Sequence, residues 1–271
     1  MKRKVSTVIC ADLLFIFFLC MAGMLEGVIS SIVYYSSFFV ATAFALFADK
    51  RGDDASDDSV RLKINASSLV SLIPVIPLTV GTIFVISLVT TLILSLCGFS
   101  DSVTLEGNIF YIIFIHALLP AVLEEMLFRY VPLRLLSDRS ARVAVLLSAL
   151  FFGLSHTNLF QIPYAIIAGI ILAAIDVAYD SVIPSVIVHF INNICSVFWM
   201  LNWDSPNFAL IYITVLGIIF LASLVAVILK RKKYMAYIKK AFGRGEPYKP
   251  GKELYIMIGL TLFLAVTVLL F

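Results

Sequence analysis

Apolar residues run along this chain in blocks of bilayer-spanning length, at about residues 5–25, 29–48, 67–97, 108–135, 142–157, 160–179, 182–202, 207–229 and 254–271. A helix needs roughly 20 such residues to cross a hydrocarbon core of about 30 Å, because each residue advances ~1.5 Å. The pattern predicts nine membrane helices. The block at 142–157 is short, but Ser155, His156, Thr157 and Asn158 continue it with small polar residues that need not face lipid. Pro184 falls in the first turn of its helix, just after Asp180 and Ser181, where a missing N–H is tolerated and a cap is available. Longer hydrophilic segments occur only at 49–66 and 230–253, and no repeat of 20–50 residues stands out. The expected fold is all-α, a polytopic transmembrane bundle of about eight to nine helices. It divides into an N-terminal hairpin with a cytoplasmic loop (1–66), a core (67–203) and C-terminal helices joined by a basic cytoplasmic loop (204–271).

Composition agrees with the pattern. With 271 residues, 62% hydrophobic, 14% charged and a mean hydropathy of +1.06, the chain departs far from the ~45–50% apolar and ~25% charged content of soluble domains. A water-soluble globular protein is excluded, and a net charge of +3 spread over so many spans implies no nucleic-acid surface. Distribution matters more than the total: three Lys/Arg lie at 2–4, four at 50–63, four at 129–142 and nine at 230–252, which accounts for all twenty. The alternate connections near 26–28, 99–107, 158–160 and 203–206 hold Glu26, Asp101, Glu106 and Asp204 but no basic residue. Every basic cluster therefore falls on one side, which the positive-inside rule makes cytoplasmic, with the N-terminus there and the C-terminus across the membrane. The start MKRK, followed by an apolar run to Met24, is longer than a signal-peptide core and lacks an A-x-A site, so a retained first span is expected. With minimal soluble loops and no organellar signal, the expected location is a bacterial or archaeal plasma membrane. Cys10, Cys20, Cys97 and Cys195 show no CxxC spacing and read as small apolar residues. The run Asp53, Asp54, Asp57, Asp58 reads as a solvated loop, and the Asn65-Ala66-Ser67 sequon carries no weight on the cytoplasmic side.

Ionisable groups inside a span cost roughly 2.5–3.5 kcal/mol each near the bilayer centre, so their presence calls for a reason. The fourth block contains His116-Ala-Leu-Leu-Pro120-Ala-Val-Leu-Glu124-Glu125-Met-Leu-Phe-Arg129. Glu125 and Arg129 are i,i+4 neighbours with the acid first, whereas Glu124 is turned about 100° onto the adjacent face. Arg129 can thus neutralise Glu125 and leave Glu124 free to act as a base; the alternative is a purely structural ion-pair network. Phe152-Gly-Leu-Ser-His156 ends the fifth block, and His189-Phe-Ile-Asn192-Asn193 opens the seventh with His189 and Asn193 on one face. Counted from the basic ends, Glu124 and His156 lie roughly 15–20 Å deep and His189 near 10 Å. Three helices could present one polar cluster, at a depth that suits a peptide arriving from the cytoplasmic side or from the inner leaflet. Pro120 cannot donate to the carbonyl of His116, so a bend is expected one turn before the glutamates, with His116 as readily structural as functional.

In order and spacing, Glu124-Glu125-x-x-x-Arg129, Phe152-x-x-x-His156 and His189-x-x-x-Asn193 resemble the CPBP family of intramembrane proteases, also called the Abi or type II CAAX prenyl endopeptidase family. The resemblance covers about residues 108–201. It implies a catalytic core in which Glu124, with His156, polarises and deprotonates a water, His189 and Asn193 donate to the oxyanion, and Glu125 and Arg129 support them. Such proteins are commonly called metalloproteases, yet HExxH is absent and three protein ligands for zinc would have to include the base Glu124. A Glu-activated water with no obligatory metal is the expectation, with zinc the alternative. The substrates the resemblance permits are prenylated tails, bacteriocin or pheromone leader peptides and, in self-immunity, bacteriocins. Two other classes compete: a non-proteolytic scaffold or immunity factor, and a transporter with a buried relay. For a transporter no inverted repeat is visible. A rhomboid-type serine site is disfavoured because His156 stands where glycine should follow Ser155, and an aspartyl site because no G-x-G-D partners Tyr179-Asp180.

Overall fold

The computed structural model describes residues 2–50, 62, 65–99, 105–243, 245 and 249–270. Among these there is no extended strand, and seven helices are long and apolar enough to cross a membrane: Arg3–Gly23, Gly27–Ala48, Ser68–Leu96, Ile109–Ser137, Ile162–Tyr179, Ile183–Asn202 and Pro206–Leu229. Two shorter apolar helices, Ser140–Ser155 and Leu254–Phe263, match the short fifth block and part of the last one. The chain is a multi-pass helical membrane bundle. The acidic run Asp53, Asp54, Asp57 and Asp58 lies outside the described residues.

In chain order the helices are α1 (Lys2–Gly23), α2 (Gly27–Lys50), α3 (Ala66–Leu72), α4 (Val75–Leu96), α5 (Ile109–Ile113), α6 (Leu119–Glu125), α7 (Val131–Ser155), α8 (Ile162–Tyr179), α9 (Ile183–Asn202), α10 (Pro206–Leu229), α11 (Arg231–Phe242) and α12 (Lys252–Leu270). Between α5 and α6, and between α6 and α7, the helix continues through the π turns Phe114–Leu118 and Met126–Tyr130. α7 is broken at Ser140, where φ −162° and ψ 100° are extended, so the fourth span ends there and the fifth turns back. Asn108 caps α5 by accepting from Tyr111 N at 3.0 Å.

The start of α9 is capped in a way the sequence only half announces. Ser181 Oγ accepts from Ile183 N at 3.2 Å, but the second acceptor is Asp176 Oδ1, 3.1 Å from Ser185 N. Asp180 instead ends α8 in a left-handed conformation (φ 52°) and pairs with Lys240 Nζ at 2.6 Å.

Hydrophobic side chains offer no advantage over lipid in a membrane, so close packing of small residues must hold helices together. Between α7 and α8 this role falls to two pairs of small residues spaced by four, Ala149 and Gly153 against Ala165 and Gly169, all buried. A Cβ on Gly169 would come within 2.7 Å of Ala149 Cα, and one on Gly153 within 2.2 Å of Ile166 Cγ1. The basic segment 230–253, read above as a loop, contains the helix α11. Its length fails the spanning criterion, and the buried residues that fasten it, Tyr234 and Ala241, are few among many lysines. Tyr234 donates to Ser71 O at 3.0 Å, and Tyr237 packs on Tyr179 with ring centroids 5.0 Å apart.

Gly169→Ala is expected to lower the thermal unfolding midpoint of the detergent-solubilised protein, by the equivalent of ~1–3 kcal/mol of overpacking. Gly217→Ala, where a Cβ meets nothing within 4 Å, should leave the midpoint unchanged.

Candidate active site

The polar residues of the fourth span sit in a backbone shaped by two prolines. A proline ring collides with the carbonyl four residues earlier and provides no N–H to it. Pro120 and Pro132 each follow a π turn by two residues: Leu119 N–H reaches back to Phe114 O and Val131 N–H to Met126 O. Each π turn inserts one residue into the helical register, a device that recurs at functional sites. Where the sequence predicted a bend at Pro120, the structure absorbs the ring by widening the helix. The same happens at Pro132, whose missing N–H would have served Phe128 O; Ser148 Oγ from α7 donates to that carbonyl instead.

Between the two π turns, the adjacent glutamates point to different surroundings. Glu125 is 0% exposed; its Oε2 lies 3.3 Å from Arg129 Nε, and its Oε1 accepts from His189 Nδ1 at 2.7 Å. Arg129 is also 0% exposed, and its Cζ sits 3.9 Å from the centroid of the Phe152 ring. Glu124 is partly open, with its side chain 12% exposed and its Oε2 3.8 Å from His189 Nε2. His189 thus stands between both carboxylates, fixed by Glu125 through one nitrogen and facing Glu124 with the other. A carboxylate only accepts, so Nδ1 of His189 carries a proton.

His156 is fixed in a similar way from its own helix, with Nδ1 2.8 Å from Phe152 O. A carbonyl only accepts, so His156 also presents Nε2 away from its anchor. Phe152 is the common neighbour: its ring is 4.8 Å from the His156 ring, 5.7 Å from the His189 ring, and under the Arg129 guanidinium. Asn193 Oδ1 accepts from Asn192 Nδ2 at 3.4 Å, which orients the amide so that its nitrogen is the donor left for a ligand.

Glu124, His156, His189 and Asn193 line a cavity of about 540 Å³, and His116 lines it too, so all three histidines of the chain face one space. Glu125 and Arg129 lie behind its wall. The six residues singled out in the sequence are therefore brought together, four at the surface of the cavity and two beneath it. Sequence reasoning gave no role to Ser148, Asp176 and Ser185, all 0% exposed. Asp176, near the end of α8, binds the backbone of α9 one turn before His189. Its signal in the sequence is a carboxylate within an apolar helix, as at Glu124.

Residues 106–195 match the family described as Type II CAAX prenyl endopeptidase Rce1-like. Over that stretch the chain is similar to CAAX prenyl endopeptidases. The match covers about a third of the chain and contains all six of these residues. No curated protein and no solved structure matches the chain.

The zinc alternative left open by the sequence can be set against the donor set. Among the described residues, no group of three or more His, Cys, Asp and Glu side chains is arranged to hold an ion. Glu125 is engaged by Arg129 and His189, and His189 spends one nitrogen on Glu125.

Arg129→Ala strands the Glu125 carboxylate in a closed interior, and breaking a buried pair in this way costs ~3–5 kcal/mol. The variant should unfold well below the wild type by circular dichroism melting in detergent. Ser148→Ala, which leaves one carbonyl unpaired, should cost ~1–3 kcal/mol.

Proposed function

We propose that this protein is an intramembrane endopeptidase that cleaves a membrane-associated peptide or protein with a water activated by Glu124. One observation carries the reading: of two adjacent carboxylates, Glu125 is neutralised behind the wall while Glu124 faces the cavity, between two anchored imidazoles. A carboxylate held there with no lysine or arginine against it is available to take a proton.

In this mechanism Glu124 accepts a proton from the water while His156 Nε2 orients it. The resulting hydroxide adds to the scissile carbonyl carbon. His189 through Nε2 and the Asn193 amide donate to the oxyanion that forms; one such donor is worth ~2.7–4 kcal/mol. The tetrahedral intermediate then collapses, the C–N bond breaks, and Glu124 returns the proton to the amine. Glu125, Arg129 and Phe152 act through position: they fix His189 and exclude water from its rear. The reaction is written without a metal.

The matched family's description supports a prenylated peptide as one substrate class, and the same chemistry would serve leader peptides or bacteriocins in processing or self-immunity. We place the protein in the plasma membrane with a cytoplasmic N-terminus, on the distribution of its lysines and arginines.

Glu124→Gln keeps the shape and removes the base. It should reduce cleavage at least ~100-fold while folding normally, with substrates accumulating uncut in the membrane peptidome relative to the wild type. Identical peptidomes would point to a scaffold or immunity factor that acts by binding. Cleavage should also persist in a membrane-permeant chelator; its loss, with recovery on adding zinc, would overturn the metal-free mechanism.

A further inference from the structure

Among the described residues, the lining of the cavity extends from Glu124 and His189 away from the basic rim. On α9 its lining runs from Val188 to Met200, about 18 Å at ~1.5 Å per residue. Met200 lies in the last turn of α9, next to the connection at 203–206 that holds no lysine or arginine. On α8 the lining runs from Tyr164 at the start of the helix to Leu172 and goes no further towards Asp180 and Lys240. On α7 it occupies Phe152 to Thr157, the end remote from Arg134 and Arg142. On α4 it begins at Val80 and extends to Thr91, and on α1 it includes Phe15 and Leu19 but nothing nearer the lysines at the start. In the fourth span it extends from His116 to Phe128 and stops before Arg129.

Beyond that floor, on the basic side, lie buried residues. Glu125, Arg129, Asp176, Ser185, Leu133 and Val182 are all 0% exposed. The ion pair that fixes His189 thus also lies between the cavity and the basic rim. The sequence placed the site by depth alone and expected a substrate from the cytoplasmic side or from the inner leaflet; depth does not say which way a cavity extends.

We propose that the substrate enters from the membrane face that lacks lysine and arginine, which the positive-inside rule makes extracytoplasmic, and that it is an exported or outer-leaflet peptide rather than a cytosolic tail. The walls indicate the kind of segment it presents. Phe84, Trp199 and Tyr212 form an aromatic cluster with centroids 5.1–5.6 Å apart. Among the described residues of the lining there is no lysine or arginine, and Glu124 is the one carboxylate. Such a channel accepts an extended apolar segment of a few residues, for which ~300–1,000 Å³ is the usual size range. The peptide class rests on the hydrolase reading; the direction of access does not.

The test uses the full-length protein in right-side-out and inside-out vesicles, with a membrane-impermeant methanethiosulfonate as the probe. Cys195 lines the cavity, so the other three cysteines are replaced by alanine and Cys195 is the reporter. Gln161→Cys reports on the mouth, and Lys239→Cys, exposed on α11, reports on the basic rim. Cys195 and Gln161→Cys should be labelled only from the side opposite to Lys239→Cys. Labelling of both from the Lys239→Cys side, or of neither from any side, overturns the proposal. The same pattern is expected in a Glu124→Gln background. Failure of the protease reading would show as undiminished cleavage in that background and would leave the labelling unchanged, so the two failures are distinguishable.

Discussion

The buried pair of Glu125 and Arg129 is the constraint on which the rest of the site depends. Two full charges with no exposed surface survive in a bundle only if each is compensated, and breaking such a pair is far more costly than forming it is favourable. Here the compensation spreads outward: Arg129 rests on the Phe152 ring, Glu125 binds His189, and Asp176 secures the turn of α9 that carries His189. The arrangement ties the fourth span to α7, α8 and α9, so that a change in any one of them is felt at His189. What remains outside this network is Glu124, and its availability follows from the fact that its neighbour is occupied.

The backbone reaches this state through prolines that an ordinary helix would not accept. Pro120 and Pro132 flank the glutamates, and the π turns before them add a residue to the register on each side. Carbonyls left without helical donors at such turns need partners, because no water in the hydrocarbon core can serve them. Ser148 is one such partner. Small residues along α7 and α8 then allow the helices bearing His156 and Asp176 to lie close together, which lipid exclusion alone would not enforce.

Several of these features were visible along the chain before any fold was known. The spanning blocks, the pairing of Glu125 with Arg129 at i,i+4 and the polar residues of α7 and α9 follow from period and hydropathy. Others were not. The helix α11 passed for a loop because length and apolarity, the criteria for a span, do not apply to a short basic helix fastened by two tyrosines. Phe152 stood within a motif, yet a phenylalanine in an apolar run gives no hint that it lies beneath a guanidinium and between two imidazoles. Asp176 binds nine residues ahead, at a distance no helical periodicity describes.

By itself the sequence determined that this is a helical membrane protein, which side of it is basic, and which few polar residues lie at a common depth. Those properties are set by local quantities: hydropathy summed over a helix length, charge at its ends, and residue spacing along one axis. Only the tertiary structure decided that Glu125 lies behind the wall and Glu124 before it, that His189 stands between them, and that the cavity's lining runs away from the basic rim. These depend on which faces of different helices meet. Lipid rewards no particular meeting of apolar faces, so the choice falls to small residues, prolines and one buried ion pair, whose partners are far apart in sequence.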